Sequence, residues 1–372
     1  MPHVPALGRR PLLGLAALGL LPLPARAAEP AMTRREIGVG LYELAHSARQ
    51  KAVFVAASGG FGENAVDSRV LRLDPATLAV QAEIPLTLKG FGVALDDEAG
   101  RLYIGHSTEA AVSVVDIAGN RLLGTLRLAE KLRGADGKES APYSLRELRL
   151  DATGATLYIP GFSTENSVLY VVDAKAMTLK GTVTGMGPGA IGIAIDSVHQ
   201  RVFLSSLLGR LYTVDAKAMT LARDVAAGGL EQPMNLEFDA ANGQLLAVDQ
   251  GLEGMPGYQA KMQPGFTSKH PGNRVARLDP ADGRLVAEAP APKGPISLLL
   301  DAPGGRLFVA SREAGAIAVL DAATFASRAT IALPTHPNSL AFDAAGQLLY
   351  VSVKNGRDMP RNSAESVARI AF

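Results

Sequence analysis

Apolar and polar positions alternate along this chain in a unit that recurs over most of its length. In each unit a short apolar strand ends in Asp, and an aromatic or large apolar residue seven positions later lies within a second strand. The pairs are Asp96/Tyr103, Asp151/Tyr158, Asp196/Phe203, Asp239/Leu246, Asp301/Phe308 and Asp343/Tyr350, with Ser47/Phe54 as a degenerate first copy. Most units continue with a third strand that ends at Asp74, Asp116, Asp173, Asp215, Asp279 or Asp321. Units of about 40–45 residues with four short strands are typical of propeller blades, so the pattern predicts an all-β, seven-bladed β-propeller with four-stranded blades.

The last unit lacks its fourth strand, because the sequence ends at Phe372, directly after the third strand. Residues 36–40, Glu36-Ile37-Gly38-Val39-Gly40, form a strand-like segment ahead of the first complete unit. We expect this N-terminal segment to complete the last blade as its outer strand. Such pairing would close the ring and leave no open sheet edge at the junction.

The first 27 residues predict a signal peptide. Arg9 and Arg10 precede an apolar stretch over residues 12–23, and an Ala-Arg-Ala cleavage site ends at residue 27. The stretch is too short to span a bilayer. The paired arginines also resemble a twin-arginine signal, so the twin-arginine and the general secretory routes both stay open. We therefore predict a signal peptide over 1–27, a single propeller domain over 28–372 without a membrane span, and a periplasmic location.

The composition removes several kinds of chemistry. The chain has no cysteine, which excludes disulfides, thiolate metal sites and thiol nucleophiles. Removal of residues 1–27 would take away three arginines and change the formal net charge from +1 to −2. A mature chain without basic excess argues against strong non-specific binding of nucleic acid, although it leaves room for a local basic patch.

Parts of the chain resemble a known family. The segments Thr335-His336-Pro337-Asn338-Ser339-Leu340-Ala341, Leu349-Tyr350-Val351-Ser352-Val353-Lys354 and Val367-Ala368-Arg369-Ile370 resemble the C-terminal end of the YncE-like propellers of the YVTN repeat group. Phe91-Gly92 and Arg146-Glu147 are similar to the family pattern before blades two and three. The resemblance implies a seven-bladed periplasmic propeller, mostly without assigned catalysis, and it implies binding of single-stranded DNA. Single-strand binders use aromatic platforms along a basic groove, whereas this chain has no Trp, so DNA binding is kept as an alternative.

The repeat also predicts where a ligand would bind. The residues four and five positions before each unit's Asp should lie where the inner strands begin, at one mouth of the central channel. Most units place small or apolar residues there, and the exceptions are polar, charged or aromatic. We predict a ligand site at this mouth formed by Tyr42, Glu43, Phe91, Arg146, Glu147, Asn235, His336 and Asn338, with Arg312 and Lys354 near its rim.

These residue types suggest distinct roles. Arg146 would hold an anionic group, Glu43 and Glu147 would hold a cation or hydroxyl groups, and Tyr42 and Phe91 would form flat apolar walls. The opposing interpretation is that the charged residues form ion pairs with one another or bind channel water.

Long loops mark the same face as the binding face. Segments 129–144, 250–273 and 354–366 are long, while the opposite face has tight Asp/Gly turns. The insertion 250–273 holds Met255, Met262 and His270, a soft ligand set that suits copper. We favour a lid whose apolar residues pack on the face, because Met is a common gap filler.

The histidines of the loop face, His106, His270 and His336, lack short metal-ligand spacings. We expect His336 to form a local hydrogen bond and the other two to be exposed. The Asp residues that recur once per blade are expected to be structural turn residues.

We interpret the chain as a non-enzymatic binding protein or scaffold that engages a small ligand or a protein partner, and we expect a monomer without a cofactor. An alternative is an enzyme, a hydrolase or dehydrogenase that depends on a metal or quinone, since propellers host such enzymes. A metal-assisted hydrolase would use Glu43, Glu147 and Asn235 as oxygen ligands, and calcium is the metal to test. The sequence contains no nucleophile elbow, phosphate-binding loop or H-E-x-x-H helix.

Overall fold

A computed structural model of the chain describes residues 1, 3, 30–134, 137–356 and 358–372. Within this part the strands form seven four-stranded antiparallel sheets, so the predicted seven-bladed propeller is confirmed. The predicted signal segment lies outside the described residues, apart from Met1 and His3. No helix in the described part is long and apolar enough to cross a membrane.

The strands follow the repeat. The first, β1 (Met32–Gly38), belongs to blade seven. Blades one and two consist of β2 (Leu41–Ser47), β3 (Ala52–Ala57), β4 (Arg69–Leu73) and β5 (Val80–Pro85), then β6 (Val93–Asp96), β7 (Arg101–His106), β8 (Ala111–Asp116) and β9 (Arg121–Arg127). A small hairpin of β10 (Leu132–Arg133) and β11 (Glu139–Ser140) comes before blade three. Blades three and four consist of β12 (Arg149–Leu150), β13 (Thr156–Gly161), β14 (Val168–Asp173) and β15 (Thr178–Val183), then β16 (Ala190–Asp196), β17 (Arg201–Ser206), β18 (Arg210–Asp215) and β19 (Thr220–Ala226).

The remaining blades complete the ring. Blade five consists of β20 (Leu236–Asp239), β21 (Gln244–Asp249), β22 (Arg274–Leu278) and β23 (Leu285–Pro290), with the helix α1 (Met255–Met262) between its second and third strands. Blades six and seven consist of β24 (Pro295–Asp301), β25 (Arg306–Ser311), β26 (Ala316–Asp321) and β27 (Ser327–Ala332), then β28 (His336–Asp343), β29 (Leu348–Lys354) and β30 (Glu365–Ala371) with β1. The first strand of each blade contacts the first strands of both neighbouring blades, so these seven strands surround the central channel.

The N-terminal strand closes the ring as predicted. β1 pairs antiparallel with β30, from Met32 opposite Ile370 to Gly38 opposite Glu365. The strand begins earlier than the expected residues 36–40 and ends at Gly38. It ends there because Val39 O and Gly40 O accept hydrogen bonds from the loop after β3, where the chain turns into blade one.

The recurring Asp residues hold turns, as predicted. In blade seven, Asp343 Oδ1 accepts hydrogen bonds from Ala345 N and Gly346 N, both at 3.1 Å. In blade six, Asp321 Oδ1 accepts hydrogen bonds from Ala323 N and Thr324 N. These carboxylates are therefore engaged by the backbone on the face opposite the long loops.

Apolar side chains fill the space between adjacent blades. The cluster at the closure joins Leu41 and Val53 of blade one to Tyr350 and Val367 of blade seven, all of them buried. Burial of one such side chain contributes roughly 1.5–3 kcal/mol to stability. The closure is thus held by packing as well as by backbone pairing.

Candidate functional site

Bulges at the start of four inner strands direct side chains toward the channel mouth. The register shifts between Leu41 and Leu44 in β2, Ala190 and Gly192 in β16, Pro295 and Ser297 in β24, and Pro337 and Ser339 in β28. A bulge adds a residue to one strand and re-aims its side chain. Three residues of the predicted site, Tyr42, Glu43 and Asn338, lie within these bulges.

Two arginines at the mouth carry positive charge that no described residue neutralises by direct contact. Arg146 precedes β12 in blade three, and Arg312 follows β25 in blade six. Burial, together with the nearby charge of Arg146, lowers the pKa of Arg312 to about 10. Both arginines also act on the hydroxyl group of Tyr42, whose pKa is raised mainly by burial. Within the described part of the chain, neither guanidinium group has a hydrogen-bond or ion-pair partner.

A third cation at the mouth, Lys354, is neutralised by Glu365. Its Nζ lies 3.2 Å from Glu365 Oε2 and donates a hydrogen bond to Leu41 O at 2.6 Å. The same Nζ lies 3.9 Å from the centre of the Tyr42 ring, which is a cation–π contact. Burial lowers the pKa of Lys354, although Glu365 opposes this change. Arg146 and Arg312 therefore carry the positive charge that no direct ion pair balances, although Glu43 and Glu147 act on Arg146 and Glu365 acts on Arg312 from a distance.

The aromatic residues differ from the expected flat walls. The rings of Tyr42 and Phe91 meet edge to face with their centres 4.6 Å apart, and Phe61 stacks behind Phe91 at 6.2 Å. Phe91 is only 6% exposed, and Lys354 covers a face of Tyr42. Phe91 therefore supports Tyr42 from behind and offers no wall, because Phe61, from a loop of blade one, packs against it.

Glu43 and Glu147 face one narrow cavity behind the mouth. Glu43 Oε2 accepts a hydrogen bond from Val93 N at 2.9 Å. Glu147 Oε1 accepts one from Asn235 Nδ2 at 3.1 Å, and Asn235 Oδ1 accepts one from Leu298 N at 3.2 Å. Glu147 is 5% exposed, and its Oε2 has no hydrogen-bond partner among the described residues.

The pKa values of both carboxyl groups are raised. The pKa of Glu43 is raised to about 7, with burial as the main cause and the charge of Glu147 as the second. Burial also raises the pKa of Glu147, against the opposing effects of Arg149 and of the hydrogen bond from Asn235. The charge of Glu147 thus opposes the ionisation of Glu43.

Arg149 and Glu237 lie deeper in the channel. Arg149 Nη2 and Glu237 Oε2 are 3.9 Å apart, at the limit of an ion pair. The two side chains keep 32% and 36% of their surface exposed, and both line a cavity of about 220 Å³ together with Ala152 and Ser197 of the turn face. Burial raises the pKa of Glu237. Burial alone would lower the pKa of Arg149, but the nearby charges of Glu237, Glu147 and Glu43 raise it.

The predicted residues are distributed over three cavities of the loop face and channel. A channel cavity of about 90 Å³ is lined by Glu43, Arg146, Glu147, Asn235 and Asn338. A basin of about 1050 Å³ beside the insertion is lined by Arg312 and His336, and a cleft of about 320 Å³ by Tyr42 and Lys354. Phe91 lines none of the three. A further cavity of about 310 Å³ lies between blades three and four among the Asp turns of the opposite face, and it contains no residue of the predicted site.

Comparison with known proteins places the chain in a family. No family model matches it. YncE of Salmonella typhimurium is 31% identical over 357 residues, which cover 92% of this chain and 91% of the relative. The chain belongs to the YncE family. YncE of Escherichia coli strain K12 is 33% identical over 182 residues, or 48% of this chain and 50% of that relative.

A solved structure shares the fold of this YncE-family protein. A chain of hydrazine synthase from Kuenenia stuttgartiensis superposes with a TM-score of 0.66, covering 88% of this chain and 95% of that chain. The two are 13% identical, so this likeness concerns the fold alone.

Sequence reasoning missed Arg149 and Glu237, although the repeat contains a signal for them. Side chains two positions apart on a strand point to the same face. The residues two positions before each unit's Asp therefore form a further ring around the channel. Its members are Ala45, Ala94, Arg149, Ala194, Glu237, Leu299 and Ala341. Five are small or apolar, so Arg149 and Glu237 stand out from this ring in the same way as the predicted site residues stand out from theirs.

The histidines have local roles, with one correction. His336 Nδ1 donates to Asn355 O at 3.0 Å, as expected. The expectation that His106 is exposed is wrong, since it is 0% exposed inside blade two. Its Nδ1 hydrogen-bonds Lys89 O at 2.9 Å and its Nε2 hydrogen-bonds Ser113 Oγ at 2.7 Å, while burial lowers its pKa. Among the described residues, no group of three His, Asp or Glu side chains is arranged to hold a metal ion.

The insertion of this YncE-family propeller packs on the loop face as a lid. Met262 of α1 is 8% exposed and lies in an apolar cluster with Ile191 and Met234. Both of these residues belong to the ring at the mouth. Gln259 Nε2 donates to Leu207 O at 2.6 Å and to Glu231 O at 2.7 Å. The predicted packing of the lid is thus confirmed, and polar anchors fix its position.

Proposed function

We propose that this YncE-family protein is a periplasmic binding protein that captures an anionic ligand at the loop-face mouth of its channel. The observation that carries the proposal is the pair of guanidinium groups of Arg146 and Arg312. They lie close enough to oppose each other's charge and have no hydrogen-bond or ion-pair partner in the described part of the chain. A carboxylate or phosphate group placed between them would relieve this repulsion.

The chemistry of the guanidinium group supports this assignment. Its planar set of donors matches the two oxygens of a carboxylate or phosphate, and such charge-assisted pairs are among the stronger hydrogen bonds. Arg312 is largely surrounded by protein, so water screens its charge less than it would on an open surface. The adjoining basin and cleft provide room for the rest of a small ligand or for a loop of a protein partner.

We favour binding over catalysis because of the groups that carry the free charge. Guanidinium groups stay protonated at neutral pH, so they recognise anions but do not act as proton-transfer groups or nucleophiles. The periplasmic location is supported by the charged and apolar pattern of residues 1–27. The mass of protein recovered from the periplasm tests it, since cleavage after residue 27 leaves a chain that begins at Ala28.

Titration calorimetry with citrate, a trivalent carboxylate, tests the anion site. We expect wild-type protein to bind citrate and the Arg146→Gln and Arg312→Gln variants each to bind it roughly tenfold or more weakly. Arg223→Gln is the matched control, because Arg223 is exposed on the outer strand β19 of blade four. Equal citrate affinity in the three variants, or no binding by wild-type protein, would contradict the proposed function.

A further inference from the structure

The channel reverses the sign of charge just behind the mouth. Three carboxyl groups, those of Glu43, Glu147 and Glu237, interact there with the guanidinium group of Arg149. The charge of Arg146 also acts on the first two of them. Arg146 lines the same cavity as Glu43 and Glu147, whereas Arg312 lines the basin beside the insertion. A ligand that enters from the loop face would therefore meet positive charge first and negative charge next.

The buried carboxyl group of Glu147 lacks one of its partners. It is 5% exposed and lines the cavity, and Asn235 donates to one of its oxygens only. Its Oε2 has no hydrogen-bond partner among the described residues, although the backbone N–H of Ile193 lies near enough to the carboxyl group to oppose the rise of its pKa. A buried carboxyl oxygen without a partner is costly, so a donor that reaches this cavity would stabilise it.

The acceptors in the cavity suit an ammonium group better than a metal ion. Asn235 Nδ2 donates to Glu147 Oε1, and Asn235 Oδ1 already accepts a hydrogen bond from Leu298 N, so at most one of its lone pairs is open. The open acceptors are Glu147 Oε2 and Glu43 Oε1, with the hydroxyl oxygen of Ser297 at the cavity wall. A primary ammonium group has three donors to satisfy, whereas calcium takes six to eight oxygen ligands.

The size of the cavity limits what can enter. Its volume is about 90 Å³, and a cavity needs a volume of roughly 10–15 Å³ to hold one water molecule. The cavity thus has room for an ammonium group with a short carbon chain, but the bulk of a larger ligand would remain at the mouth.

We propose that the site takes a small zwitterion, with its ammonium group in the cavity between Glu43 and Glu147 and its acidic group on Arg146 and Arg312. This inference rests on the proposed function, because the arginines hold the acidic end. It defines the ligand class as a short aliphatic chain with a primary amine at one end and a carboxylate or other acidic group at the other.

Calorimetry on the wild-type protein with matched probes tests the inference. The probes are ω-amino acids from glycine to 6-aminohexanoate, butanoate as the matched acid without an amine, and butylamine as the amine without an acid. We expect affinity to peak at one chain length and to exceed that of the acid without an amine by roughly tenfold or more. Butanoate that binds as tightly as every amino acid would overturn the inference and leave the anion site standing.

Variants then assign the two ends of the ligand. Glu147→Gln should remove the advantage of the amino acid over butanoate without weakening butanoate itself, since it deletes a negative charge. Arg146→Gln should weaken both probes. Glu165→Gln is the control, because Glu165 is exposed in a loop of blade three. An advantage that persists in Glu147→Gln would overturn the inference.

Further results separate the two proposals. If citrate binds but neither butanoate nor any amino acid does, the inference fails and the anion site stands; if citrate does not bind either, both fail. If butylamine alone binds and Glu147→Gln abolishes that binding, the ammonium cavity stands while the anion site fails. Should Glu147→Gln not fold, Glu43→Gln takes its place, and the probe series on wild-type protein decides the question without any variant.

Discussion

Glu43 shows how much a single side chain in the channel depends on its surroundings. It faces the channel, accepts one hydrogen bond from Val93 N, and has a pKa raised to about 7 by burial and by the charge of Glu147. An acid whose pKa is higher in the folded state binds more protons when folded than when unfolded. Its contribution to stability is complete below the ordinary pKa of about 4.5 and is lost as the pH rises toward 7.

The first prediction concerns this loss. Between pH 5 and pH 8 the free energy of unfolding of wild-type protein should fall relative to that of Glu43→Gln by roughly 1–3 kcal/mol. The lower part of this range applies if channel water screens the carboxylate. Urea unfolding of both proteins at the two pH values measures the difference, with Glu165→Gln as the control. A difference between wild type and Glu43→Gln that is the same at pH 5 and pH 8 would refute the assignment.

Some features of single site residues could be predicted from the sequence, and others could not. The broken symmetry of the inner-strand rings predicted that Glu43, Arg146 and Glu147 share one mouth, and the structure places all three around one cavity. The burial of Phe91 could not be predicted in this way. A ring position defines where a residue lies around the channel, but the packing of Phe61 against Phe91 depends on a loop from another blade.

The closure is the element on which the ring depends. β1 supplies the outer strand of blade seven, and Arg34 Nε on this strand donates to Ser366 Oγ of β30 at 2.7 Å. The sequence predicted this closure because the last unit lacks a strand. The exact bounds depend on where the chain turns at Gly40, whose φ of +68° favours glycine.

The second prediction is that removal of β1 weakens the whole ring. A chain that starts at residue 39 should lose on the order of a few kcal/mol of unfolding free energy relative to one that starts at residue 30, because it loses a ladder of backbone hydrogen bonds. It should also associate through the open edge of β30. Urea unfolding and size-exclusion chromatography measure the two effects. Equal stability of the two chains would show that β1 does not close the ring.

The lid is a second element with a defined anchor. Gln259 joins α1 to Leu207 O and Glu231 O, and Glu231 in turn accepts hydrogen bonds from the backbone nitrogens of Lys269 and His270. The helix and the later part of the insertion are therefore held by one buried residue, Glu231, through its backbone carbonyl and its carboxylate. The sequence indicated a lid from its length and its methionines, but nothing in it indicated the role of Gln259.

The third prediction is that Gln259→Ala loosens the lid. Trypsin should cleave after Lys261 and Lys269 several times faster in this variant, because local opening exposes the segment to the protease. Gln263→Ala, which changes an exposed glutamine one turn later, should be cleaved at the wild-type rate. Equal cleavage rates for Gln259→Ala and wild-type protein would mean that other contacts hold the lid.

At the scale of the whole molecule, charge is separated along the channel. The mouth has two arginines without direct partners, and carboxyl groups lie behind them. Single-stranded DNA, which the family resemblance implies as a ligand, stays an alternative. Tyr42 is an aromatic residue of the mouth, but Lys354 lies over its ring, so a base could stack on that face only after Lys354 moved.

The fold as a whole was predictable because the repeat specifies it seven times. The blade count, the strand order and the role of the Asp turns all follow from one periodic pattern. The identity of the ligand could not be predicted from the repeat. The ligand is recognised by the few positions at which blades differ from one another, and a repeat constrains those positions least.

The most direct measurement is anomalous diffraction from crystals soaked in sodium bromide, since bromide reports where an anion binds. The anion site at the mouth predicts a bromide peak in contact with both Arg146 and Arg312, and its loss in crystals of Arg312→Gln. Bromide bound to other basic side chains of the surface, with none between these two arginines, would contradict the proposed function.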